Sequence, residues 1–183
     1  WSRDGNTLVM IENAAGRRRL VEMDIASRQR RVLSRADENV LEVAAGAAGD
    51  AYVWAADVPG EDNRLVRVRH PGRSDEQREA IARSVSNIDF DAADAMLYFS
   101  PRTVGGGVYR AAFDAGVATL VPREVPMRLG RWRVVGGELW YFSDLTEKVS
   151  TLNAFDLASG RDRKVATLHA IVLDTAFSVL PDK

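Results

Sequence analysis

Short apolar runs punctuate the chain at regular intervals: "LVMIE" from Leu8, "AYVWA" from Ala51, "LYFS" from Leu97 and "LWYFS" from Leu139. Each is rich in β-branched or aromatic residues, which favour a pleated, half-buried strand. A polar or glycine-containing stretch follows each run, then a second strand: "RRLVEMDI", "RLVRVRH", "GVYRAAFD" and "STLNAFDL". Three of these second strands end in an aspartate-bearing turn, at Asp24, Asp114 and Asp156; in the other, His70-Pro71-Gly72 takes that place. A third, shorter strand comes next ("RRVLS", "EAIA", "ATLVP", "KVATL"). One more strand precedes a first run in each later case ("VLEVAAG", "NIDFDAA", "GRWRVVGG"), and "LDTAFSVL" stands in that phase at the end.

The first runs start roughly 42–46 residues apart, and four short strands at this period mark the blade of a propeller. A single blade cannot bury both faces of its sheet, so blades must stack. The expected fold is therefore all-β: a β-propeller of four-stranded antiparallel blades, with about four repeats in one domain spanning 1–183. The units run over approximately 1–34, 35–83, 84–125 and 126–168, and 169–183 starts the next. Asp4 and Asp182 occupy the same phase of the repeat, so the chain is expected to be part of a larger propeller of six to eight blades. The alternative is a closed four-bladed ring in which "LDTAFSVL" completes the first sheet. Only Ser74–Arg83, "SDEQREAIAR", reads in isolation as a capped helix. The repeat register makes it the connection into an outermost strand and leaves room for a short helical turn.

Composition narrows the function classes. The chain has 183 residues and a formal net charge of -1, without the basic excess of a nucleic-acid surface. Cysteine is absent, which removes disulfides, thiolate nucleophiles and cysteine metal sites. No apolar run reaches membrane-spanning length. Arginine dominates the cations, with lysine only at Lys148, Lys164 and Lys183, and alanine is abundant; this reads as a GC-rich bacterial coding bias.

Candidate chemistry is sparse. His70 sits before Pro-Gly in a turn and is expected to be exposed; His169 follows "KVATL" in a connection. A hydrolytic triad would need one of them beside an activated serine, and no G-x-S-x-G nucleophile elbow occurs. Asp89, Asp91 and Asp94 in "DFDAAD" have calcium-like spacing but lack the downstream glycine and glutamate of an EF-hand loop, so a solvated turn is the better reading. Gly105-Gly106-Gly107 lacks the Lys-Ser/Thr of a phosphate loop and reads as a hairpin turn. Arg17, Arg18, Arg19, Arg28, Arg30 and Arg31 form a basic cluster able to attract anions or acidic partners. Glu12, Glu22 and Asp24 interleave with them, so cross-strand charge pairing is the plainer reading. Trp1, Phe90 and Trp132 hold equivalent repeat positions, and Trp54 and Trp140 lie in or beside first runs; all five read as packing between blades. No catalytic, cofactor-binding or metal-ligating residue is assigned, and no cofactor is expected.

The stretch "WSRDGNTLVMIENAAGRRRLVEMDIASRQRRVLS" resembles the repeat of TolB-like (WD40-like) propellers, in which a W/F-S-P-D-G-K-type turn leads into a strand. Arg3 replaces the usual proline, while Asp4 and Gly5 are kept. "FDLASGRDRKVATL" and "GGVYRAAFDAGVATLVP" match later strands of that repeat. The spacing of "GGVYRAAFDAG" and "RWRVVGGELWYF" most resembles the propeller portion of CadC-like winged-helix regulators. The resemblance implies a non-catalytic, periplasmic module for protein or ligand recognition, without direct nucleic-acid binding or a membrane span in this chain. The alternative it implies is the gating propeller of a prolyl-oligopeptidase-like serine peptidase whose catalytic domain lies elsewhere.

Overall fold

The structure is a computed structural model and describes residues 5–45, 51–91, 95–102, 107–113, 119–120, 132–143 and 149–169. Trp1, Asp94, Gly105, Gly106, Asp114 and the segment "LDTAFSVL" lie outside the described residues. Fifteen strands are described, in four sheets. The first holds β1 (Thr7–Ala14), β2 (Arg17–Asp24) and β3 (Arg30–Val32). The second holds β4 (Asn39–Ala45), β5 (Ala51–Asp57), β6 (Arg64–Arg69) and β7 (Gln77–Arg83). The third holds β8 (Val85–Asp91), β9 (Met96–Pro101), β10 (Tyr109–Ala112) and β11 (Thr119–Leu120). The fourth holds β12 (Trp132–Val135), β13 (Glu138–Ser143), β14 (Ser150–Asp156) and β15 (Asp162–Leu168). Within every sheet the strands lie in sequence order, with antiparallel registers such as Met10↔Val21, Trp54↔Val66 and Leu139↔Phe155.

No helix occurs among the described residues, and none there is long and apolar enough to cross a membrane. The helical turn allowed at Ser74–Arg83 is not formed. Ser74 and Asp75 make a turn, and Gln77–Arg83 is β7, paired with β6 from Arg69↔Gln77 to Arg64↔Arg83. A ten-residue helix is marginal by itself, whereas pairing gives this backbone a hydrogen-bonded edge along β6.

The hairpin turns close by local chemistry. At the end of β2, the Ser27 N–H and Oγ–H donate to Asp24 Oδ1 at 2.7 and 2.6 Å. At the end of β14, the Ala158 and Ser159 N–H groups donate to Asp156 Oδ1 at 3.0 and 2.6 Å. These bonds favour the ionised acids: the Ser27 hydroxyl, then its N–H, lowers the Asp24 pKa, and the Ser159 N–H, then its hydroxyl, lowers that of Asp156. The turns match in the backbone too: Asp24 N–H donates to the Gln29 carbonyl and Asp156 N–H to that of Arg161. The left-handed residue is Gly160 (φ 69°) in one turn and Arg28 (φ 58°) in the other. A side chain in that region costs about 1–2 kcal/mol, partly offset by glycine's greater chain entropy. Arg28→Gly should therefore raise stability by about 0.5 kcal/mol, seen as an upward shift of the thermal midpoint. A downward shift would mean that the arginine side chain stabilises the turn.

The chain divides into two compact units, Trp1–Ile88 and Asp89–Lys183, with the boundary inside β8. In the first unit, alternation on β1 and β2 puts Val9, Ile11 and Leu20 on one face of the first sheet. With Leu33 they pack against Val40, Tyr52, Trp54, Val66 and Val68 of the second sheet. In the second unit, Tyr98 and Val108 pack against Trp132, Val134, Leu139, Tyr141 and Phe155. Both cores are sheet-on-sheet contacts, as half-buried strands require.

Candidate functional site

His70 is half-buried, not fully exposed as expected. It lies in the turn after β6, its Nδ1 is 3.8 Å from the Asp75 carboxylate, and that nitrogen has no hydrogen-bond partner among the described residues. His169 is exposed just past the end of β15. Neither hydrogen-bonds a serine hydroxyl among the described residues. There, too, no three His, Asp or Glu side chains gather in a way that could hold a metal ion.

Asp89 and Asp91 of "DFDAAD" lie on β8 and not in a solvated turn. Asp91 is 6 % exposed, and β8 directs both Asp89 and Asp91 toward β12 and the turn after it. The Val134 N–H donates to Asp89 Oδ2 at 2.8 Å and the Gly137 N–H to Asp91 Oδ2 at 3.1 Å. A similar contact occurs in the first unit, where the Ile88 N–H donates to Glu42 Oε2 of β4 at 3.0 Å. Acidic side chains on strands that open one sheet thus satisfy main-chain donors of a strand some 45 residues later, an arrangement no local spacing reveals. Burial pushes the Asp89 pKa up, against the Val134 N–H and the nearby Arg133 guanidinium. An acid with a raised native pKa costs stability as pH climbs through that value, because the native state releases its proton later than the unfolded chain. Asp89→Asn keeps an acceptor for Val134 without the charge. Its stability relative to wild type should grow between about pH 4 and 7, measured by denaturant midpoints; a difference independent of pH would contradict this. Asp89→Ala should cost about 1–3 kcal/mol by leaving a main-chain donor unpaired.

The basic cluster is largely spent on charge pairs. Glu12 takes Arg19 at 3.1 Å and Arg30 at 2.7 Å, and Glu22 accepts from both Nε and Nη2 of Arg31 and from the Tyr52 hydroxyl. The Arg17 guanidinium donates to the Ala36 carbonyl at 2.8 Å. A more buried network escaped the sequence altogether. Glu38, 5 % exposed, meets Arg78 of β7 at 2.5 Å and accepts the Arg35 N–H at 2.8 Å. Arg78 also reaches Glu76 at 2.7 Å and lies 5.1 Å over the Trp54 ring. Burial opposes the Arg78 charge, but the bonds and charges of Glu38 and Glu76 outweigh it and raise its pKa. Beside this network lies a cavity of about 200 Å³ floored by Ala56 and Val66. The network sets the two carboxylates of Glu38 and Glu76 against Arg78, with the Arg35 guanidinium 3.9 Å from Glu76.

The aromatics behave as packing groups. Trp132 and Trp54 are buried, and Phe90 meets Phe113 edge-on at 5.3 Å. Trp140 is half-buried, with Arg163 lying 5.3 Å over its ring and held by Glu138 at 2.9 Å.

Sequentially paired antiparallel sheets, packed face to face and joined by tight turns, are blades of a β-propeller, and solved structures support that assignment. TolB from Acinetobacter baumannii matches 95% of this chain with a TM-score of 0.72 at 13% identity. An oligogalacturonate lyase in complex with manganese matches 94% with a TM-score of 0.66 at 13% identity. A puromycin-hydrolyzing peptidase of Mycobacterium tuberculosis matches 89% with a TM-score of 0.68 at 10% identity. The chain spans 44% of the TolB structure, 53% of the lyase and 27% of the peptidase. The fold is thus that of TolB-like propellers, and a length of about four blades fits part of a larger one. No protein-family model matches the chain, and no curated protein matches it.

Proposed function

We propose that this chain is a non-catalytic propeller module for protein or ligand recognition, the sensory or interaction part of a bacterial transcriptional regulator or of a TolB-like protein, acting outside the cytoplasm. The observation that carries the reading is where the polar chemistry goes: Glu12, Glu22, Glu38, Asp89 and Asp91 all bind arginines, a tyrosine or main-chain donors that hold sheets together. Such a scaffold leaves its turns and loops to carry recognition. The purified chain should hydrolyse neither ester nor peptide substrates, since among the described residues neither histidine has a nucleophile to activate. Turnover abolished by His70→Ala or His169→Ala would sink the proposal.

A second reading, the gating propeller of a serine peptidase, is favoured by the likeness to puromycin hydrolases, of which the chain matches about a quarter. The coding sequence on either side separates the two. A winged helix and one apolar span favour the regulator; a downstream G-x-S-x-G with later Asp and His favours the peptidase.

A further inference from the structure

We propose that the cavity beside the Glu38–Arg78 network, on the first unit, binds a free α-amino acid with a small branched side chain. The β3–β4 connection brings Arg35, Asp37 and Glu38 to this cavity, and the second sheet supplies its floor. Strand register builds that floor. Trp54 pairs with Val66 and Ala56 with Arg64, and Val66 pairs in turn with Ala80. Alternation therefore puts these side chains on one face of the sheet, and Ala56, Arg64, Val66 and Ala80 line the cavity. Its volume is about 200 Å³, smaller than the roughly 300–1,000 Å³ of pockets that hold drug-sized ligands, so the occupant is small.

Several charges there already have partners: Glu38 meets Arg78, Glu79 meets Arg67, and Arg64 reaches Glu61 through Nη2. Groups of both characters are left over. Arg64 Nε is buried and has no hydrogen-bond partner among the described residues. The Arg35 guanidinium makes no hydrogen bond there and lies 3.9 Å from Glu76. The Asp37 carboxylate makes neither a hydrogen bond nor an ion pair there. Trp54 Nε1, on the same sheet face, is a second buried donor without a partner among the described residues. Buried donors in native proteins are nearly always satisfied, so this face is short of an acceptor. A carboxylate satisfies the Arg64 Nε–H and the Arg35 fork, an ammonium pairs with Asp37, and Ala56, Val66 and Ala80 receive an apolar side chain. Three arginines and three acids line the cavity, so a zwitterion adds no net charge, whereas a simple anion or amine leaves one free group unanswered. The inference rests on the ligand-recognition reading and gives it a ligand class.

Calorimetric titration at fixed, low ionic strength tests it with L-valine and its two halves, 3-methylbutanoate and 2-methylpropylamine. Valine should bind saturably and more tightly than either half. Asp37→Asn should weaken valine about tenfold and 3-methylbutanoate by less than about twofold. It should not move the melting temperature, since Asp37 is exposed. Arg64→Lys keeps the cation but has no Nε–H, and should weaken valine and 3-methylbutanoate alike. No saturable heat with valine would mean that water alone answers the donors, and would overturn the proposal. So would either half binding as tightly as valine, or Asp37→Asn weakening valine and 3-methylbutanoate equally. Any of these results leaves recognition of a protein partner through the loops standing, whereas hydrolytic turnover would sink the broader reading.

Discussion

Trp132→Ala should destabilise the protein by about 3–5 kcal/mol, while Arg18→Ala should change its stability by no more than about 0.5 kcal/mol. Trp132 is 2 % exposed and sits among Tyr98, Val134, Leu139, Tyr141 and Phe155, with its Nε1 donating to Ser100 Oγ at 3.4 Å. Removing the ring leaves a cavity between two sheets that their neighbours cannot fill without moving strands. Arg18 is exposed at the start of β2, and its structural contact is made by its main-chain N–H, which donates to Asn39 Oδ1 and survives the substitution. Equilibrium denaturation of both variants beside wild type gives the comparison. Small and equal losses would mean that the repeated aromatic position is not a core position.

Glu38→Ala should cost a similar amount, about 3–5 kcal/mol, because it strands a buried guanidinium. The side chains of Glu38 and Arg78 are only 6 % and 13 % exposed, so solvent cannot replace the lost carboxylate. Glu76 remains beside Arg78 and limits the loss without removing it. The double variant Glu38→Ala with Arg78→Met should recover part of the stability, since an apolar chain over the Trp54 ring has no charge to satisfy. If the two single losses simply add in the double variant, the residues are not coupled and the network account fails.

How much of this was legible in the sequence depended on range. The Asp24 and Asp156 turns could be read because the acid and the serine it binds are three residues apart. The strands could be read because "AYVWA" and "LWYFS" declare themselves within five residues. β7 was harder: Glu, Gln, Arg and Ala favour a helix locally, and only β6, arriving in register alongside, makes a strand of them. The polar networks were out of reach for the same reason at longer range. Glu38 and Arg78 are 40 residues apart, and Asp89 and Val134 45. Placing either pair requires knowing which faces of which sheets meet. The cross-strand pairing of the arginine cluster with Glu12 and Glu22 was legible because hairpin register alone decides it.

Sequential pairing has a kinetic consequence. Each described strand is hydrogen-bonded only to strands adjacent to it in the chain, so every ladder forms by closing a short loop, and the entropic barrier to closure grows with loop length. Among β proteins, such low contact order favours fast folding. Hairpins such as β1–β2 and β13–β14 can zip before any sheet finds its neighbour, whereas the Trp132 cluster and the Glu38–Arg78 pair form only on docking. Substituting the turn residues should therefore change the folding rate, and substituting Trp132 or Glu38 should act chiefly on the unfolding rate.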